Sequence, residues 1–132
     1  MSRIKVVVAF DFGLRHIGLA VGQGLTRTAS DLDEVRANQG KPSDWAAVDT
    51  VITTWQPDRL LVGLPLNMDG TESEMSAHAR RFARRLEGRY HLPTTMVDER
   101  LTSVEARELA ESGESQHGLA ARLIAESWLG EN

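Results

Sequence analysis

Residues 4–22 of the chain read IKVVVAFDFGLRHIGLAVG and hold two apolar runs, separated by a turn that begins after a carboxylate. The first run, residues 4–10, is continuous, β-branched and aromatic, as in a strand buried on both faces at the centre of a sheet. It ends at Asp11, and the second run covers 17–22. A polar alternating stretch over 26–35 predicts a third strand. The short turns between these strands indicate antiparallel pairing.

Helices and strands alternate in the rest of the sequence. Apolar spacing predicts, in order, a helix over 43–55, a strand over 59–63, a helix from 71, a strand over 94–98, a helix over 102–112 and a helix over 117–129. The expected N-caps are Ser43, Thr71 paired with Glu74, and Thr102 paired with Glu105. Strands joined by helices pair in parallel through right-handed crossovers. We therefore expect an α/β fold with a mixed central sheet, an antiparallel N-terminal meander followed by parallel strands, and helices on both faces.

The composition limits the kinds of protein that this chain can be. With 132 residues, 41% of them apolar and 26% charged, it has the size and character of one globular domain spanning 1–132. It contains no cysteine, which excludes thiolate catalysis and cysteine zinc sites and suits the reducing cytoplasm. No run approaches the roughly 20 apolar residues that span a bilayer. We therefore expect a cytoplasmic protein with no membrane role.

Acidic side chains end the first and the last predicted strands, with Asp11 after the first and Asp98 and Glu99 after the last. Carboxylates that converge repel each other unless a cation lies between them, and such oxygen ligands suit Mg²⁺ or Mn²⁺. A centre of this kind serves metal-assisted phosphodiester hydrolysis. Side chains alternate along a strand, so only one of Asp98 and Glu99 can face the cluster, and Arg100 is expected to pair with one of them. The alternative for any single acid is that it caps a turn.

Positive charge is concentrated on one predicted helix, although the net charge of the chain is −4. Five arginines fall within ten residues: Arg80, Arg81, Arg84, Arg85 and Arg89. They form either a solvated helix face or a nucleic-acid contact, and the bidentate fork of arginine favours phosphate. The loop from Gly63 to Gly70 lacks the lysine and the spacing of a P-loop, so it is only a weak phosphate signal.

Three motifs together resemble one known family. AFDFGLRHIGLAVG at 9–22, WQPDRLLVGLPLNMDGT at 55–71 and VDERLTSVEA at 97–106 stand in the order and spacing of the YqgF (RuvX) family of Holliday-junction resolvases, now regarded as pre-16S rRNA nucleases. The resemblance extends from about Ile4 to Leu129. It implies a ribonuclease-H-like fold in a cytoplasmic bacterial protein that uses Mg²⁺ or Mn²⁺ to trim the 5′ end of the small-subunit ribosomal RNA precursor.

The resemblance also implies which residues form the site. Asp11 and Glu99 match the family's acidic positions and are expected to bind metal, with Asp98 beside them. The family's aspartate at the start of the last helix is replaced here, and counting back along that helix puts His117 in its place, as ligand or base. By position, Glu111 or Glu114 could substitute for the missing acid. Six further residues are expected to contact nucleic acid: Arg15, Asn67, Arg81, Arg84, Arg85 and Arg100.

Several functions follow from these expectations. The first is a metal-dependent endonuclease that acts on structured precursor rRNA or on a pre-ribosomal particle, as a monomer or weak homodimer. The second is a catalytically weakened or inactive RNA- or protein-binding member of the same fold, because His117 replaces an acid. Resolution of Holliday junctions ranks behind both. The DFGxxxIG pattern of residues 11–18 also resembles the first phosphate loop of actin-like and sugar kinases, but those proteins need two such lobes and this chain has room for one.

Overall fold

The computed structural model describes residues 4–100 and 116–131. They form a six-stranded sheet in the order β4-β3-β2-β1-β5-β6, with three helices. The elements are β1 (Val6–Asp11), β2 (His16–Gln23), β3 (Thr28–Asn38), β4 (Lys41–Pro42), α1 (Trp45–Trp55), β5 (Arg59–Leu64), α2 (Glu74–Tyr90), β6 (Thr94–Asp98) and α3 (Gln116–Glu131). Strands β1 to β4 pair antiparallel in sequence order, whereas β5 pairs parallel with both β1 and β6. The predicted mixed α/β sheet is confirmed.

Strand β1 lies at the centre of the sheet, and its side chains form cores on both faces. Val8 and Phe10 belong to the cluster that includes residues of α1 and α2, whereas Val7 and Ala9 pack with Ile124 and other residues of α3. Val7, Val8, Ala9 and Phe10 have no exposed surface. The continuous apolar run of β1 is therefore explained by burial on two sides. The prediction that helices cover both faces is confirmed.

Aromatic rings fix α2 against the end of β1. The ring of Phe82 on α2 is fully buried, and its centroid lies 5.6 Å from that of Phe10 and 5.3 Å from that of Phe12. Trp45 of α1 stacks on the same ring at 6.4 Å. Truncating a buried phenylalanine to alanine typically costs about 3–5 kcal/mol. Phe82 thus holds α2 to the segment that surrounds Asp11.

Two of the predicted helix caps are wrong. Asp44, not Ser43, caps α1, because its Oδ1 accepts the Ala46 amide at 2.9 Å. Ser73, not Thr71, caps α2 and forms a capping box with Ser76. The Thr71 hydroxyl instead donates to Asp69 at 2.6 Å within the preceding loop.

The remaining boundary differences are small. Strand β4 has only two residues and no alternation that a sequence pattern would detect. The predicted helix over 102–112 lies outside the described residues. No helix within 4–100 and 116–131 combines the length and apolar character needed to cross a bilayer.

A hydrogen-bonded cluster joins α1 to the end of α2. Arg89 donates from Nε and Nη2 to the two carboxylate oxygens of Asp49, both at 2.9 Å, and the Tyr90 hydroxyl donates to Oδ1 at 2.7 Å. The hydrogen bonds from Arg89 and then Tyr90 lower the pKa of Asp49 to about 2. A bidentate pair inside a network is the kind of surface ion pair that contributes to stability.

We predict that Asp49→Asn lowers the melting temperature at neutral pH. Because the folded pKa of Asp49 lies below its ordinary value, this stabilisation is complete above about pH 4 and is lost as the pH falls towards about 2. Melting curves recorded by circular dichroism across this range should show the wild type and the variant converging at low pH. Asp33→Asn is the matched control, since Asp33 is exposed on β3 and its side chain makes no hydrogen bond in the described part of the chain. A difference that does not shrink with falling pH would contradict the prediction.

Candidate active site

The sheet brings the carboxyl groups of Asp11 and Glu99 into direct contact. Asp11 is the last residue of β1, opposite Gly18 of β2. Glu99 follows β6 directly, and its amide donates to the Leu64 carbonyl at 3.2 Å. A hydrogen bond joins the two side chains. Since β1, β5 and β6 run parallel, their carboxyl ends meet at one edge of the sheet, and acids far apart in sequence converge there.

The environment of this pair disfavours a second negative charge. Burial is the main cause that raises the pKa of Glu99 well above its ordinary value, and the hydrogen bond and charge of Asp11 raise it further. Two carboxyl groups in contact cannot both ionise unless a proton or a cation lies between them. Carboxylate oxygens are ligands that Mg²⁺ and Mn²⁺ prefer. The chemistry of this donor pair therefore fits a hard divalent cation.

Gly63, near the end of β5, makes room for Glu99. A Cβ atom at this position would overlap Oε1 of Glu99 and would lie 2.6 Å from its Cδ. Glycine within a buried strand often marks a place where another group approaches the backbone closely. The sequence pattern predicts Gly63 only as the last residue of the strand over 59–63 and the first of the loop that follows. Its position inside the apolar run RLLVGL was the signal for a close approach.

Asp98 points away from the pair and is neutralised by Arg100. The guanidinium of Arg100 donates to the Asp98 carboxylate at 2.7–3.1 Å, and the Arg100 amide donates to Oδ1 at 2.9 Å. These bonds lower the pKa of Asp98. The structure thus agrees with the expectations that only one of the neighbouring acids faces the cluster and that Arg100 pairs with the other. Asp98 acts on Glu99 only through its charge.

The loop after β5 is organised by its own hydrogen bonds. The side-chain amide of Asn67 donates to the Thr71 hydroxyl at 2.9 Å, and the Gly70 amide donates to the Asn67 carbonyl at 2.8 Å. Arg100 contacts this loop through a 3.4 Å hydrogen bond from Nη1 to the Met68 carbonyl. Asn67 and Arg100 therefore lie on connected segments, and Arg100 directly follows Glu99.

The other predicted site residues are spread over the molecule. Arg15 is exposed in the turn between β1 and β2, and Arg81, Arg84 and Arg85 lie on α2. His117 falls in the first turn of α3, and its side chain, like Glu111 and Glu114, lies outside the described residues. Within the described ranges, no three acidic, histidine or cysteine side chains form a group that could hold a metal. The described part of the site is the Asp11–Glu99 pair.

The mixed sheet in the order β4-β3-β2-β1-β5-β6, with helices on both faces, has the ribonuclease-H-like α/β fold. A solved structure with this fold is RuvC of T. thermophilus in complex with a Holliday junction substrate. It aligns with a TM-score of 0.56 over 96% of each chain, at 16% sequence identity. At that identity the similarity concerns the fold alone.

The chain belongs to the RuvX family, described as Holliday junction resolvase, whose family model matches residues 5–131. A relative from Marinobacter nauticus is 51% identical over 92% of this chain and 90% of its own length. Another relative, from Azotobacter vinelandii, is 48% identical over 99% of this chain and 97% of its own length. Both bear the name "Putative pre-16S rRNA nuclease". The family predicted from three sequence motifs is confirmed.

The close approach of Gly63 and Glu99 gives a stability prediction. Gly63→Ala should lower the free energy of unfolding by about 1–3 kcal/mol, because the added methyl group displaces the Glu99 carboxyl. In a Glu99→Ala background the same substitution should cost much less, since the group it meets is gone. Urea denaturation of the four proteins of this cycle measures the difference.

Gly88→Ala is the matched control for this cycle. Gly88 lies in α2 with nothing within 4 Å of an added Cβ, so alanine there should raise stability by up to about 1 kcal/mol in both backgrounds. Equal destabilisation by Gly63→Ala with and without the Glu99 carboxyl would show that the two residues are not in contact.

Proposed function

We propose that this protein is a cytoplasmic, divalent-metal-dependent endonuclease that trims the 5′ end of precursor 16S ribosomal RNA, free or within a pre-ribosomal particle. The observation that carries the proposal is the hydrogen-bonded contact between the Asp11 and Glu99 carboxyl groups. Relatives about half identical over nearly the whole chain are named for such a nuclease. The acid pair supports metal-dependent hydrolysis of a phosphodiester, and the names of the relatives support precursor 16S rRNA as the substrate.

The residues that would hold the metal are Asp11 and Glu99. Their oxygens gain more from a shared Mg²⁺ or Mn²⁺ ion than from a shared proton, because the ion satisfies both charges. When bound, such an ion activates a water molecule and stabilises charge on the leaving oxygen of a phosphodiester. His117, in the first turn of α3, is proposed as a further ligand or as a general base.

Neighbouring residues keep the pair in place. Pairing with β2 fixes Asp11 at the end of β1, directly after four residues with no exposed surface. Gly63 and the Leu64 carbonyl seat the side chain and the amide of Glu99. Arg100 neutralises Asp98, so that the acid next to Glu99 does not compete for the same cation. These residues position the acids and take no part in bond breaking.

Binding of the nucleic acid is proposed for six side chains: Arg15, Asn67, Arg81, Arg84, Arg85 and Arg100. Arg15 is exposed just beyond Asp11, and Asn67 and Arg100 lie on the segments beside Glu99. The arginines of α2 supply positive charge to an otherwise acidic molecule. Contacts to phosphate of this kind give affinity and position the substrate without reading its sequence.

A four-way DNA junction is the second candidate substrate, because the matching family is described as Holliday junction resolvase. The same acid pair would cut a DNA phosphodiester by the same chemistry. The two candidates differ only in the nucleic acid that is cut, so both belong in one assay.

We predict that the purified protein with Mg²⁺ or Mn²⁺ cuts a transcript carrying the 5′ precursor region of 16S rRNA at a defined position, and cuts a four-way DNA junction far less. Asp11→Asn and Glu99→Gln should each lower the rate by more than about 100-fold, the upper end of the loss seen for groups that only support a metal ligand. Gel analysis of labelled substrates measures both rates. Asp33→Asn, a conservative change at an exposed acid of β3, is the control. RNA cleavage that survives Asp11→Asn would reject the nuclease assignment, and preferential cutting of the junction would reject the rRNA assignment.

A further inference from the structure

The five arginines of α2 fall into two groups. Arg80 donates from Nε and Nη2 to the two oxygens of Glu72 at 2.8 and 2.9 Å, and Arg89 makes the corresponding pair with Asp49. The side chains of Arg81, Arg84 and Arg85 make no hydrogen bond or ion pair in the described part of the chain. The charge of α2 that remains available to a ligand therefore comes from these three side chains.

Two of the available arginines face a hollow on the surface. His78, Arg81 and Arg85 follow a spacing of three and four residues, so they form one stripe on α2. Opposite them lies the turn between β3 and β4. The hollow has a volume of about 480 Å³ and is lined by Asn38, Gln39, Lys41, His78, Arg81 and Arg85. We call it the Lys41–Arg85 groove.

The β3–β4 wall of the groove is a tight hairpin turn. Gln39 and Gly40 both have positive φ angles, 52° and 82°, between the paired residues Asn38 and Lys41. Positive φ at both central residues is the mark of a type I′ hairpin turn, whose twist matches that of the strands. This turn places Lys41 across the groove from α2.

The same turn is anchored beside the acid pair. The Gly40 amide donates to the Leu14 carbonyl at 3.0 Å, and a Cβ on Gly40 would lie 2.6 Å from Cζ of Phe12. Phe12 directly follows Asp11 and packs on Phe82 of α2. Both walls of the groove are thus attached to the segment that carries Asp11.

The chemistry of the groove is that of a phosphate site. Its described lining contains three permanent cations, an imidazole and two amides, and no carboxylate, in a chain of net charge −4. Guanidinium and ammonium groups bind phosphate oxygens, and amides donate to phosphate or ribose. An acidic protein segment would match the charge, but the groove's attachment to the segment that carries Asp11 favours the substrate strand.

We propose that the Lys41–Arg85 groove binds the phosphodiester backbone of the RNA strand next to the position that is cut. The proposal rests on the proposed function for the identity of the strand, but binding is independent of cleavage. Lys41 is the most informative residue to test. It lies far from Arg81 and Arg85 in sequence and shares the groove with them only because of the fold. Arg84 lies on the same helix but lines a different hollow with Glu87 and Gly88.

The test measures the affinity of the Asp11→Asn protein, which should bind without cutting, for a fluorescein-labelled single-stranded oligoribonucleotide by fluorescence anisotropy in Mg²⁺ buffer. Lys41→Ala, Arg81→Ala and Arg85→Ala should each weaken binding about 3- to 10-fold at roughly 0.1 M salt. Each should also lower the slope of log affinity against log salt by about 0.7, the value for one phosphate contact on a single strand. Arg84→Ala should have a smaller effect than Arg81→Ala.

Arg27→Ala is the matched control. Arg27 is exposed in the β2–β3 turn at the opposite end of the sheet, so its removal changes the net charge equally without touching the groove. An effect of Lys41→Ala no larger than that of Arg27→Ala would overturn the proposal. Equal losses of RNA affinity in Arg84→Ala and Arg81→Ala would also overturn the proposal, because RNA would then respond to the total charge of α2 and not to the groove. If polyglutamate binds the wild-type protein more tightly than the oligoribonucleotide does, and Lys41→Ala removes that preference, the groove is a site for an acidic protein segment and the proposal is overturned.

The outcome is separate from that of the cleavage assay. If RNA affinity depends on Lys41 but the wild-type protein does not cut the RNA, the proposed role of the groove is supported and the nuclease assignment is rejected. If Asp11→Asn abolishes cutting but Lys41→Ala leaves RNA affinity unchanged, the nuclease assignment is supported and the proposed role of the groove is rejected.

Discussion

Contact between two partly buried carboxyl groups, at the carboxyl ends of the parallel strands, is the constraint on which this structure depends. Asp11 ends β1 and Glu99 directly follows β6, so the pairing of these strands with their neighbours brings the two side chains together. Burial and mutual repulsion make this arrangement costly in the absence of a proton or a cation. Three features of the fold accommodate the pair. Residues 7–10 of β1, before Asp11, are fully buried, Gly63 makes room for Glu99, and Arg100 neutralises the adjacent Asp98.

The packing around Phe82 links this centre to the surface that would receive a substrate. Phe10 and Phe12, on either side of Asp11, both contact the Phe82 ring. Through Phe82 the position of α2 is set by the strand that carries Asp11, and through Gly40 the β3–β4 turn is set by Phe12. The acid pair and the Lys41–Arg85 groove therefore belong to one packed unit.

The sequence predicted the long strands and the direction of their pairing better than it predicted the site. Long apolar runs such as 4–10 have few alternatives to a buried strand, and Asp11 and Glu99 followed because parallel strands end at one edge. The caps were wrong because several serine, threonine and aspartate side chains stand next to each other before each helix, and local hydrogen bonds such as Thr71 to Asp69 decide among them. The partners of Arg80 and Arg89, and the residues that face Lys41, depend on tertiary packing that periodicity does not contain.

Cation binding by the acid pair is the claim on which the functional account rests. Electron paramagnetic resonance of free Mn²⁺ measures this binding directly and without a nucleic acid. The account predicts that the wild-type protein binds Mn²⁺, that Asp11→Asn and Glu99→Gln each weaken binding by more than about tenfold, and that Glu87→Gln, a conservative change at an exposed acid of α2, leaves it unchanged. Wild-type affinity in either the Asp11→Asn or the Glu99→Gln protein would contradict the account.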